Sequence, residues 1–279
     1  MTTVGLLCPG HAAEDDFPRI EMLLGTDVRL PLVHADMGEP ERLAEGVAEL
    51  RLAGAECVVW ASASGSFMYG WDGAHEHTRA LAVAAGLPAS STSFAFAHAV
   101  RALGVGRVAV AARYPRDVTD RFVAFLEAAG TEVVPGRGSG PGGGAAALAG
   151  AAASAGAAGS AGSAGASGRP AAAPAGAFGT AGEAADPDAR EADMREADTR
   201  QADTREGVIE LARSGDHPDA EAVLLPDTAL HTVAYLPELE EALGKPVLTA
   251  NQVTVWEGLR LTERRARGRG LGTLFAGPE

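Results

Sequence analysis

Four short segments carry the residue types that could do chemistry, and each follows an apolar run. They are Pro9–Asp15, Ser62–Phe67, Arg113–Tyr114 and Pro226–Thr232. In the second, the small polar string Ser62-Ala63-Ser64-Gly65-Ser66 stands before a helix. There the backbone N–H groups of Ser64, Gly65 and Ser66 would cradle an anion such as a carboxylate. A plain loop with a helix cap has the same composition, so this turn alone does not decide. His11 in the first segment and His231 in the last are of the type that moves protons or binds ligands. The two cysteines differ in place: Cys8 closes an apolar run beside the first segment, whereas Cys57 begins a run and reads as core. His75 and His77 are two apart, so they share no helical face and read as surface; Trp60 and Trp71 read as packing.

The elements that must position these segments alternate. Val4–Cys8 is a short apolar run stopped by Pro9-Gly10, which predicts a buried strand and a turn. Asp27–Val33 and Glu56–Ala61 are further strand candidates, separated by a helix over Pro40–Ala53 with Leu43, Val47 and Leu50 on one face. Helices follow at His75–Ala85, closed by Gly86, and at Phe94–Leu103, closed by Gly104. The order then restarts. Arg107–Ala111 is a strand, Tyr114-Pro115 opens a helix, and Thr131–Val134 is a strand. Glu206–Arg213 is a helix and Ala220–Leu225 a strand. Leu236–Leu243 is a helix, Lys245–Ala250 the last strand and Val253–Leu261 the last helix. Alternating strands and helices predict parallel, doubly wound sheets, whose sites form at the carboxyl ends of strands. An "Ala-Glu" strand recurs in each half (Ala55-Glu56-Cys57 and Ala220-Glu221-Ala222), a weak internal similarity that two unrelated βαβ units could also show.

Between the halves lies a segment of another kind. Residues 136–182 are nearly all Gly, Ala, Ser and Pro, and a five-residue charged repeat runs through Arg190–Thr204. Such composition buries too little to offset ordering entropy, so an unstructured insertion is expected over about 136–205. The 279 residues suffice for one large domain or two small ones, and the net charge of −14 excludes a phosphate-binding surface, hence a nucleic-acid partner. No run approaches the ~20 apolar residues of a membrane span. With no basic, apolar leader after Met1, a cytoplasmic protein with reduced thiols is expected, and no membrane partner. Two thiols are too few for a thiolate-built structural zinc centre, so neither a metal nor another cofactor is expected.

Several motifs carry a family resemblance. Ala61-Ser62-Ala63-Ser64-Gly65-Ser66-Phe67 resembles the Ala-Cys-Thr-Ser-Gly-Ser-Phe motif of maleate cis-trans isomerases. Leu225-Pro226-Asp227-Thr228-Ala229-Leu230-His231-Thr232 resembles their Leu-Ser-Cys-Thr-Asn-Leu-Arg-Thr. The stretch Leu239–Val247, with Asn251-Gln252 and Trp256, is similar to their C-terminal signature, and Tyr114-Pro115 to a tyrosine-led helix of these enzymes. The chain therefore resembles the aspartate/glutamate racemase superfamily, on its maleate isomerase and arylmalonate decarboxylase side.

The resemblance implies an α/β fold of two flavodoxin-like (Rossmann-like) lobes with parallel sheets, related by a pseudo-twofold axis, with the site in the cleft between them. The expected division is 1–104 plus 246–279 for the first lobe and 105–245 for the second. It also implies chemistry on a small carboxylic or dicarboxylic acid by one or two cysteines on opposite lobes. Here those positions hold Ser62 and Asp227, the asparagine and arginine after the second are Ala229 and His231, and the amino-terminal Pro-Ser-Ser-Asn is Pro9-Gly10-His11-Ala12. A serine is almost wholly protonated near neutral pH, so thiol addition and two-thiol racemisation at these positions are excluded. What the resemblance leaves is Asp227, Ser62 and His11 as catalytic candidates, and Ser64, Gly65, Tyr114, Thr228 and Ala229 as carboxylate-binding ones. Two readings stay open: a cofactor-independent isomerase, racemase or decarboxylase with altered residues, and a catalytically inactive relative that binds a small acid or a partner protein. A homo-oligomer is compatible with either.

Overall fold

The computed structural model describes residues 1–10, 12–25, 27–35, 40–136 and 204–276. The insertion expected at about 136–205 falls almost wholly outside the described residues, as does His11. Two sheets, all of whose strand pairs are parallel, organise the chain. The first contains β1 (Thr2–Cys8), β2 (Val28–Arg29), β3 (Leu32–His34), β4 (Cys57–Trp60) and β5 (Ala89–Ser91). Its order is β2-β1-β4-β5, and β3 continues the β2 edge against β1. The expected single strand over Asp27–Val33 is thus split at Leu30-Pro31, where proline offers no N–H to a ladder.

The second sheet repeats that order with β6 (Arg107–Val110), β7 (Glu132–Val133), β8 (Ala222–Leu225) and β9 (Val247–Thr249), arranged β7-β6-β8-β9. The strand β6 answers to β1, and β8 to β4. In both sheets the winding reverses between those two central strands, which is where open α/β sheets bind ligands.

The helices are α1 (Asp16–Leu24), α2 (Pro40–Leu52), α3 (Ser64–Phe67), α4 (Gly70–Ala85), α5 (Thr92–Leu103), α6 (Arg116–Ala128), α7 (Arg205–Gly215), α8 (Leu236–Leu243) and α9 (Ala250–Leu261). One apolar cluster spans both lobes, from Val4, Leu6 and Phe94 to Val108, Phe122 and Leu248. The strand β9 pairs with β8, so residues 247–249 complete the second sheet. The helix α9 follows β9 directly. That helix packs on α5, β4 and β1, and Gly258 makes the approach to β1 feasible: a Cβ there would lie 2.2 Å from Val4 Cγ1. At its start Gln252 Oε1 accepts from Thr249 N–H at 3.0 Å, which satisfies one of the donors that a helix end leaves free.

A buried carboxylate ties α9 down. Glu257 accepts from Ser90 Oγ at 2.7 Å and from Arg260 Nε at 2.7 Å, and lies 3.0 Å from His98 Nδ1. Burial works to raise its pKa, but the Arg260, His98 and Ser90 contacts outweigh it and hold the group at about 2. Cys57 lies beside it with Sγ donating to Gly258 O; burial, with Glu56 and Glu257 nearby, pushes this thiol up to about 12. Cys57 is core, as its position at the start of a strand implies. Among the described residues no helix is long and apolar enough to cross a membrane.

Candidate functional site

Ser62 and Asp227 occupy equivalent places. Each stands two residues past the end of its central strand, β4 or β8. The loops around them are joined in two pairs. On one side Ala13 N–H, in the loop after β1, donates to Thr228 O at 2.9 Å, and Asn251 Nδ2 bridges Ala13 O, Thr228 O and Asp16 Oδ2 at 3.1–3.3 Å. Asp16 Oδ2 also accepts from Thr232 N–H, and burial raises this carboxyl's pKa against the lowering pull of the Asn251 bond. On the other side Phe67 of α3 packs on Tyr114 with ring centroids 5.8 Å apart. The strand ends of the two lobes are therefore held together by contacts on both flanks.

The β4 loop is closed on itself. Ser62 and Ser64 are buried, and Gly65 N–H donates to Ser62 Oγ at 3.1 Å. Ser93 Oγ, from α5, donates to Ala63 O at 2.8 Å, while Ser66 and Ser91 share a hydrogen bond at 2.8 Å. Residue 65 must be glycine for space: a Cβ there would stand 2.8 Å from Trp60 Nε1 and 2.9 Å from Ser62 Oγ.

The β8 loop is charged. Asp227 is 7 % exposed, and its Oδ2 lies 2.7 Å from Arg113 Nε and 2.6 Å from Arg113 Nη2. Its Oδ1 accepts from Ala229 N–H at 2.9 Å, an Asx-type turn. Arg113 stands just beyond β6, so this ion pair crosses the point where the second sheet reverses. Tyr114 O–H donates to Pro226 O at 2.9 Å.

The proposed binding groups thus have partners of their own. The N–H groups of Gly65 and Ala229 orient Ser62 and Asp227, and the Tyr114 hydroxyl braces the start of the Asp227 loop. Sequence reasoning placed Arg113 in one of the four candidate segments but gave it no role; the only signal was a cation shortly after an apolar strand. His231 Nδ1 faces Asp15 Oδ1 at 2.8 Å, outside the Arg113–Asp227 pair. His75 is exposed and packs against Trp71 and Phe94. His77, read as surface, is half-buried against Tyr69; desolvation lowers its pKa, and its buried Nδ1 has no protein partner. Trp60 and Trp71 pack, as expected.

Comparison with known proteins points to relatives of the same fold. Residues 38–138 match the family model of arylmalonate decarboxylase, a stretch that includes both Ser62–Phe67 and Arg113–Tyr114. The arylmalonate decarboxylase of Bordetella bronchiseptica is 28% identical over 199 residues; the match covers 71% of this chain and spans only 62% of that enzyme's length. A crystal structure of arylmalonate decarboxylase superposes with a TM-score of 0.62 at 23% identity, covering 99% of this chain and 100% of the other. The maleate isomerase of Pseudomonas putida S16 gives a TM-score of 0.67 at 17% identity, covering 99% and 98%. A Nocardia farcinica maleate cis-trans isomerase variant bearing a covalently bound succinylcysteine intermediate gives 0.64 at 18%, covering 100% and 99%. The two-lobed fold is the fold of these proteins.

Proposed function

From the premise that motifs, family model and fold all point to the arylmalonate decarboxylase and maleate isomerase side of the aspartate/glutamate racemase superfamily, we propose that this chain is an enzyme acting on a small carboxylic acid at its α-carbon. Decarboxylation of a substituted malonate is the favoured reaction. The observation that carries the proposal is the buried Arg113–Asp227 pair at the reversal point of the second sheet, beside the hydroxyl-lined loop of the first.

In this reading the hydroxyls of Ser62 and Ser64 hold the retained carboxylate beside the Tyr114 ring, with the backbone at Thr228 and Ala229 lining the opposite wall. The bond to the departing carboxylate breaks, carbon dioxide leaves, and the electron pair stays on the α-carbon as an enediolate. Arg113 supplies fixed positive charge close to that developing negative charge, a preorganised electrostatic effect. Asp227 relays a solvent proton to the carbon, and the product is the monoacid. His11, in the segment after β1, is a second proton carrier in this reading. The proposed lobe boundaries lie near 104 and 246, with α9 belonging to the first lobe.

One feature favours the non-catalytic alternative: both oxygens of Asp227 have partners, which suits a fixed counter-ion to Arg113 as well as a base. The two readings separate in heavy water. Phenylmalonate, maleate, aspartate and glutamate are incubated with the protein and followed by proton NMR. An enzyme releases carbon dioxide or incorporates deuterium at carbon, and Asp227→Asn abolishes this while leaving acid binding intact or tighter. Binding without exchange for every acid would establish the inactive relative.

A further inference from the structure

A second constellation lies at the outer side of the first sheet. Cys8 ends β1 and His34 ends β3, and the parallel register sets the two side by side. Glu14 stands in the loop that carries the chain from β1 into α1. His34 Nε2 is 3.4 Å from Glu14 Oε1, and the Cys8 sulfur, a His34 ring nitrogen and a Glu14 carboxylate oxygen all lie within 4.8 Å of one another. The strand β3 flanks β1 on the side away from β4, so the cluster is set apart from the Ser62 loop.

We propose that Cys8, Glu14 and His34 form a binding site for a zinc-like divalent transition-metal ion. A thiolate, an imidazole and a carboxylate are the three donor types that zinc takes. Bonds of about 2.0 Å to nitrogen and oxygen in a tetrahedron put those two atoms about 3.3 Å apart. The observed 3.4 Å between His34 and Glu14 already meets that edge. The sulfur is buried at the floor, whereas the side chains of His34 and Glu14 are 56% and 42% exposed. The two exposed arms can therefore close on an ion over the sulfur without moving the sheet. Three protein ligands leave a fourth position open to solvent, as in catalytic rather than structural zinc sites. Binding exchanges the Cys8 thiol proton for the metal, so one proton is released per ion bound.

The test uses the full chain after chelator treatment. Zinc is titrated by calorimetry and cobalt(II) by absorption. The expected result is one ion per chain with a Kd near or below about 1 µM, together with a thiolate-to-cobalt charge-transfer band. His34→Ala and Glu14→Gln, both at exposed positions, should each weaken binding about ten-fold or more. Cys8→Ser should remove the band; if that buried variant does not fold, the two exposed variants still decide. No binding at about 100 µM metal, unchanged affinity in His34→Ala, or a charge-transfer band that survives in folded Cys8→Ser would overturn the proposal.

Discussion

The loops after β4 and β8 hold equivalent places in two sheets of the same order, yet they are built from opposite chemistry. The β4 loop is neutral: hydroxyls and N–H groups close on one another, and Trp60 leaves residue 65 no room for a side chain. The β8 loop holds a carboxylate in a nearly buried pair with the Arg113 guanidinium, which comes from the loop after β6. The difference teaches that a repeated fold fixes where a site lies but not what each half does there. A neutral, self-bonded wall can grip an anion without repelling it, whereas the charged wall can move a proton or balance a charge.

The largest effect should come from unbalancing the charged wall. Arg113→Met leaves Asp227 as a buried, uncompensated carboxylate, so a loss of about 3–5 kcal/mol is expected by denaturant unfolding. Replacing both, Arg113→Met with Asp227→Leu, should cost less than the single change, because the stranded charge is gone. If the double variant is the less stable one, the pair is not the electrostatic unit described here.

A second buried acid sharpens the contrast. Glu257 also pairs with an arginine but sits on the buried face of α9, outside the Ser62 and Asp227 loops. Glu257→Gln should cost about 2–4 kcal/mol of stability and leave the substrate chemistry of the folded fraction unchanged. Its folded pKa of about 2 lies below the ordinary 4.5. The stabilisation is therefore complete above pH 4.5 and is lost as the pH falls toward 2. Unfolding free energies across that window should lose this pH dependence in the Gln variant. A turnover defect in folded Glu257→Gln would show that the two acids are not separate in role.

Smaller effects should follow from close packing and from the neutral wall. Gly258→Ala drives a methyl into Val4 and should cost about 1–3 kcal/mol in thermal or chemical unfolding. Ser62→Ala removes one acceptor of the Gly65 N–H and one contact for a bound acid. Acid affinity should fall by about 1 kcal/mol in titration calorimetry, and stability by about 1–3 kcal/mol for the stranded Gly65 N–H. An unchanged affinity would take Ser62 out of the binding wall.

Much of this arrangement is legible in the sequence, for physical reasons that differ by element. The central strands β1, β4, β6 and β8 are short apolar runs bounded by turn residues, so their positions and the places of Ser62 and Asp227 follow. The strand β5 is Ala-Ser-Ser and has no apolar signature; only its burial between β4 and α5 makes it a strand. The helix α1, with proline in its first turn, likewise gives little local signal. The Arg113 partnership joins residues 114 positions apart, and no local pattern encodes it. The Cys8–Glu14–His34 cluster has no motif spacing either. Counting thiols argues against a metal, because that count does not see donors brought together by strand register.

The central claim is that the neutral and charged walls receive one small acid between them. A crystal structure with phenylmalonate, or with a slowly reacting malonate analogue, tests it most directly. One carboxylate should lie against the Ser62 and Ser64 hydroxyls beside the Tyr114 ring, with the α-carbon facing Asp227 and Arg113. An acid bound elsewhere, or held by only one wall with Asp227 out of reach of its α-carbon, would contradict it.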